Sequence, residues 1–144
     1  MSTQNYANHR RTDPGFHFVL FGLTVLTLGG SVTNLILSWG DHARIYGASL
    51  ILVLTVIVTL LAGFCRMYAL KAQDRAIRAE ENLRHFVLTG KLLDPRIEIH
   101  QVIALRFAPD EEFAALAKRA AEESLTPDAI KQAVKNWRAD NYRV

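Results

Sequence analysis

Apolar positions gather into two runs rather than spreading along the chain. The first is GFHFVLFGLTVLTLGGSVTNLILSW, Gly15 to Trp39, and the second is IYGASLILVLTVIVTLLAGFC, Ile45 to Cys65. Each is close to the ~20 residues that cross a hydrocarbon core of ~30 Å. Between Gly15 and Tyr68 the only formally charged residues are Asp41, Arg44 and Arg66. Neither run has the polar stripe that a surface helix of a soluble domain carries, which disfavours a pair of buried core helices. The first run is too long for a signal-peptide core and a second follows at once, so both are expected to be retained. The pattern predicts an N-terminal segment (1–14), a first membrane span (15–39), a short outer hairpin (40–44) and a second span (45–68).

The punctuation agrees. In Thr12-Asp13-Pro14-Gly15, Asp13 can cap a helix and Pro14 suits its first turn. Gly40-Asp41-His42-Ala43 is short enough to force the spans antiparallel. Span one contains Gly22, Gly29, Gly30 and Ser31, small residues that allow close helix approach in lipid. Thr24, Thr27 and Thr33 can bond back to their own helix. Asn34 reads as an interhelical hydrogen bond, with a pathway or ligand contact as the alternative.

Charge gives the orientation. Arg10 and Arg11 precede span one, Arg44 alone marks the hairpin beside Asp41, and Arg66, Lys71, Arg75 and Arg78 follow span two. Lys and Arg favour the cytoplasmic side, so both termini are expected there, in a multi-pass protein. Trp39 and Tyr46 then mark the outer interface, Phe16 and Tyr68 the inner one.

The stretch FCRMYALKAQDRAIRAEENLRHFVL, Phe64 to Leu88, holds no Pro or Gly. Good helix formers fill it, so span two is expected to continue as a helical stalk (69–90) ending near Thr89-Gly90. Asp74 with Arg78 and Glu80 with Arg84 are acid-first pairs four apart. One stripe of this helix reads Ala62, Cys65, Ala69, Ala72, Ala76, Ala79, Leu83 and Phe86. Its spacings alternate three and four, which makes it a candidate coiled-coil packing seam. It would serve either self-association or partner docking, or else the chain's own tail.

The cytoplasmic tail (91–144) reads as short amphipathic helices opened by Asp94-Pro95, Pro109-Asp110 and Thr126-Pro127. Their apolar sides are Ile97, Val102, Ile103, Leu105 and Phe107; then Phe113, Leu116, Ala117 and Ala120; then Ile130, Val134 and Trp137. Three short helices bury little by themselves. They are expected to lean on the stalk at Leu83, Phe86, Val87 and Leu92. The fold class is thus all-α: a two-helix transmembrane hairpin, its second helix extended into a stalk, then short helices.

Composition narrows the chemistry. Lys and Arg total 17 against 14 acids, a formal charge of +3, and acids and bases alternate through the tail. That is not the concentrated patch of a nucleic-acid binder, so a membrane-tethered nucleic-acid module built on IKQAVKNWR is the minor alternative and no nucleic acid is expected. One cysteine, Cys65, excludes an intrachain disulfide. The five histidines, His9, His17, His42, His85 and His100, form no zinc-binding spacing. His9 and His17 flank the start of span one, where a metal or haem-type cofactor is an alternative to simple interfacial polarity. Glu98 and His100, two apart on a helix, point different ways. No nucleophile motif, P-loop or dinucleotide fingerprint occurs, so no catalytic residue and no cofactor are assigned.

QNYANHRR and PGFH at the start, QDRAIRAEENLRHFVLTGKLLDPRI, QVIALRFAPDEEF and IKQAVKNWRAD together resemble an uncharacterised family of small bacterial two-span membrane proteins. The resemblance covers nearly the whole chain. It implies a bacterial cytoplasmic (inner) membrane setting and supplies no catalytic residues. The expected function is a non-enzymatic, membrane-integrated interaction or accessory protein. It would dock through stalk and tail, with the lipid bilayer and a homo-oligomer or larger membrane complex as partners. The alternative is a cofactor-binding or catalytic subunit whose site forms only with a partner.

Overall fold

The structure is a computed structural model that describes residues 4–9 and 12–140. It is all-helical, with no strand among the described residues. A π-helical segment, Gly15–Leu20, leads into α1 (Phe21–Leu37); then come α2 (His42–Thr89), α3 (Ile99–Leu105), α4 (Asp110–Glu122) and α5 (Pro127–Ala133). The chain divides into two compact units. One is Thr12–Ala69; the other combines the N-terminal segment with Leu70 onward. Helix α2, 48 residues without a break, contributes to both.

The Thr12–Ala69 unit is a helical hairpin. Asp13 starts it as its chemistry demands: its carboxylate accepts from Phe16 N–H at 2.9 Å and its carbonyl from His17 N–H at 2.9 Å. Gly40, at φ +89°, makes the turn, and the Asp41 carboxylate accepts from Ala43 and Arg44 N–H. The packing stripe of α1 is Thr24, Leu28, Ser31 and Leu35, continued by Ser38, and that of α2 is Ile45, Ala48, Leu52, Thr55, Thr59 and Ala62. Spacings of three and four in both are those of near-parallel helix axes. The most buried members are small, Ser31, Ser38 and Ala48. The Arg66 guanidinium lies over the Phe16 ring, 5.3 Å from its centre, so the helices run antiparallel. Thr24, Thr27, Thr33, Thr55 and Thr59 each donate to the carbonyl four residues back, which satisfies these hydroxyls within their own helices. Asn34 departs from expectation. It is exposed and makes no side-chain hydrogen bond among the described residues, because it sits ~80° round α1 from the packing stripe.

In the other unit, α2 ends where glycine permits. Gly90 takes φ +75° and its N–H bonds to Phe86 O at 2.7 Å, an αL cap. His85 Nδ1 meets Lys91 O at 2.7 Å and fixes the chain beyond it. The core joins Ile77 of α2 to Leu93, Ile97, Val102, Leu105, Phe113, Leu116, Ile130 and Val134. The expected apolar sides of the tail helices are therefore the buried ones.

Three details of the tail differ from the sequence reading. Asp94-Pro95 opens a turn rather than a helix, since the Asp94 carboxylate takes Arg96 N–H; α3 starts four residues later, at a capping box between Glu98 and Gln101. Helix α5 stops at Ala133, so Trp137 lies beyond it. Finally, Leu83, Phe86, Val87 and Leu92, expected under the tail, are 63%, 50%, 75% and 66% exposed. The tail packs on a different face of α2, through Ile77, Glu81 and Arg84. Buried charge explains the difference: hydrophobic periodicity passes over a stripe that contains a Glu and an Arg.

Candidate functional site

Arg84 is the centre of that stripe. Its Nε donates to Asp110 Oδ1 at 2.7 Å, Nη1 to Glu81 Oε2 at 3.0 Å and Nη2 to Ala108 O at 2.7 Å. Its guanidinium lies 4.3 Å from the centre of the Phe113 ring. The Arg84 side chain is 12% exposed and that of Glu81 6%. Such burial is tolerable only because each charge is paired and hydrogen-bonded. The i,i+4 partner expected from sequence was Glu80; the partner found is Glu81, which turns inward with Arg84. Glu81 also faces Arg138, 3.8 Å away. Arg84 thereby ties α2 to the Ala108 carbonyl and to the first turn of α4.

An open cleft of about 550 Å³ lies beside this cluster, lined by Glu80, Glu81, Arg84, Pro109, Asp110 and Arg138, among others. Its central charges are occupied with one another. Among the described residues no group of three His, Cys, Asp or Glu is gathered to hold a metal ion.

The N-terminal segment supplies a second cluster, which sequence reasoning missed. Tyr6 Oη reaches both carboxylate oxygens of Asp128 at 2.8 Å. Gln4 Oε1 accepts from Asp140 N–H at 2.8 Å. The His9 ring lies among Tyr6, Phe107 and Trp137, with centroid distances of 5.8, 6.0 and 5.8 Å. Its Nδ1 meets Tyr6 O at 2.6 Å and its Nε2 meets Lys131 Nζ at 3.3 Å. A lysine ammonium only donates, so Nε2 accepts and Nδ1 carries the hydrogen. His17, the other candidate ligand, belongs to the hairpin unit, where Nδ1 lies 2.9 Å from Asp13 O. Each histidine is engaged within its own unit. No local motif marks residues 4–9 as part of the tail, because their partners lie more than a hundred positions away.

The chain after α5 is pinned rather than helical. Glu112 accepts from Lys135 N–H at 2.9 Å, Asn136 N–H at 3.1 Å and Asn136 Nδ2 at 3.0 Å. These bonds, the Lys135 amide first, hold its carboxyl below the usual range. Arg138 N–H donates to Phe107 O at 2.8 Å, and Arg106 pairs with Asp140 at 3.1 Å. The segment Lys135–Arg138 therefore does not form the recognition helix that a helix-turn-helix reader needs. Elsewhere on the surface, Arg96 holds Asp94 down to about 2 through its side chain and its amide.

The candidate seam divides between the units. Ala62 is half-buried in the hairpin stripe, and Cys65 and Ala69 are exposed. Ala72, Ala76, Ala79, Leu83 and Phe86, on the tail's portion of α2, are all exposed. With 100° per residue they cluster ~150° round the helix from Ile77, Glu81 and Arg84. The tail thus occupies nearly the opposite face of α2 and leaves the stripe uncovered. A family model described as a family of unknown function, DUF6526, matches residues 1–144. The chain belongs to this family. Neither a curated protein nor a solved structure matches it. For this DUF6526 member, the uncovered face of α2 and the two tied clusters beside it are what a functional account must use.

Proposed function

We propose that the protein is a membrane-integrated interaction protein of the bacterial cytoplasmic membrane. The hairpin anchors it, both termini face the cytoplasm, and α2 beyond the membrane offers a docking face. The observation that carries the reading is the exposure of Leu83 and Phe86, with Val87 beside them, on a helix whose other side is fully engaged by its own tail. Large apolar side chains left bare on a folded surface mark interaction sites.

The membrane setting rests on the hairpin unit. Its helices, Gly15–Leu37 and His42–Thr89, are long and apolar enough to cross a bilayer. Phe18, Leu26, Leu37, Leu54 and Leu61 are more than half exposed. Lipid is the solvent that such a surface requires, and the closed backbone bonding of two helices suits it. Arg66, Lys71, Arg75 and Arg78 after the second run, against Arg44 alone in the turn, support cytoplasmic termini.

Two measurements test the reading. A periplasm-active reporter fused at His42 should be active and the same reporter after Val144 silent; the reverse pattern refutes the orientation. A photo-reactive side chain at Phe86, in intact cells, should give a discrete protein adduct that the same probe at Lys118 does not. Equal, diffuse labelling at both sites refutes the docking face.

A further inference from the structure

We infer that the occupant of the uncovered α2 face is a second copy of this chain, lying parallel and in register, with Arg75 of each copy paired to Glu80 of the other. The inference rests on the docking reading above and names its partner. Ala72, Ala76, Ala79, Leu83 and Phe86 repeat at intervals of four, three, four and three. In heptad terms Ala76 and Leu83 are a positions, and Ala72, Ala79 and Phe86 are d positions. Arg75 then precedes an a position, at g, and Glu80 follows a d position, at e. In a parallel two-stranded coil, each g residue meets the e residue five places on in its partner. That rule sets Arg75 against Glu80, with opposite charge, once on each side of the seam.

The structure leaves all these groups available. Arg75 and Glu80 are exposed, and neither makes an ion pair or side-chain hydrogen bond among the described residues. Asp74, Arg78, Glu81 and Arg84 lie outside the a, d, e and g positions. The last three are turned to the tail through Ile97 O, Arg138 and Asp110. Direction follows from the hairpin: copies inserted with one topology present α2 pointing the same way. Three alanines allow close backbone approach at the start of the seam, and Leu83 and Phe86 supply the buried area at its end.

The test is disulfide trapping of the full-length chain in native membranes, with Cys65→Ser as background. Ala79→Cys should cross-link copies on mild oxidation, and Lys71→Cys, exposed and off the seam, should not. Adding Arg75→Glu to Ala79→Cys should lower the yield severalfold, and adding Glu80→Arg as well should restore it. Both are exposed side chains whose exchange leaves the protomer's own contacts intact. Cross-linking that ignores both charge changes refutes the register. Cross-linking at position 79 no better than at 71, with position 79 shielded from a bulky maleimide, refutes the second copy while docking of another protein stands. No cross-linking and free maleimide access at 79 refutes both.

Discussion

Tyr6 and Asp128, 122 positions apart, meet through one phenolic hydroxyl that lies 2.8 Å from each carboxylate oxygen. The N-terminal segment is therefore part of the folded tail. Tyr6→Phe should cost about 1 kcal/mol, since it removes the bond to Asp128 and a longer one from Gln132 Nε2, both exposed. Deleting residues 2–9 should cost more, since it also removes His9 from beside the Phe107 and Trp137 rings. Hydrogen exchange in α5 is the measurement. Unchanged protection of Ile130 and Lys131 in the deletion variant would refute the contact.

Arg84 is expected to be the most sensitive position of the tail. Arg84→Met keeps the bulk over Phe113 but leaves Glu81 buried, with Arg138 at 3.8 Å its one remaining ion-pair partner among the described residues. Removing one partner of a buried pair costs about 3–5 kcal/mol. Arg84→Lys should recover little of this, because the three donors of an ammonium share one nitrogen, whereas Asp110, Glu81 and Ala108 O are each met by a different guanidinium nitrogen. Thermal unfolding in mild detergent distinguishes these outcomes. A lysine variant as stable as the native protein would show that charge alone matters there.

Ser124 holds φ at 49° just past α4, and Leu125 N–H reaches back to Ala120 O at 3.3 Å. This is a Schellman cap with serine where glycine is usual. Ser124→Gly should stabilise the tail by roughly 0.5–1 kcal/mol, and Ser124→Val should destabilise it by more than that. Opposite signs for the two substitutions are the observable.

Glu112 gives the tail a pH dependence. Its folded-state pKa lies below the ordinary carboxylate value, so its contribution is present above the unfolded pKa. It is lost as pH falls through the depressed folded value. The acid limb of the stability curve should therefore be shallower in Glu112→Gln, whose amide oxygen replaces only one of the two accepting carboxylate oxygens but does so at any pH. Parallel acid limbs for the two proteins would remove Glu112 from the account.

What was legible in the sequence was local. Asp13, Asp41, Gly90 and Thr126 each act within four residues of themselves, and each marks the boundary expected of it. Alternating apolar positions located Phe113, Leu116, Ile130 and Val134 in the core. The face of α2 under the tail was not legible. An Ala, Leu and Phe stripe carries the signature of packing, whereas Ile77, Glu81 and Arg84 carry it only once Asp110, Ala108 and Arg138 are known to converge on them. Asp94-Pro95 misled because aspartate before proline suits a turn as well as a helix start. The place of Tyr6 and His9 depended on contacts that no window of neighbouring residues contains.

The closure of the tail by residues from both ends of the chain has a consequence for biogenesis. Gln4, Tyr6 and His9 are synthesised more than a hundred residues before Asp128, Trp137 and Asp140. At ~5–20 residues per second the first group waits several seconds for its partners. Both apolar runs are synthesised within that interval. A chain threaded with its ends on opposite sides of a barrier could never join Tyr6 to Asp128. In the proposed membrane setting, the finished clasp requires both ends on one side, and a chain threaded otherwise would leave Gln4, Tyr6 and His9 undocked from the tail.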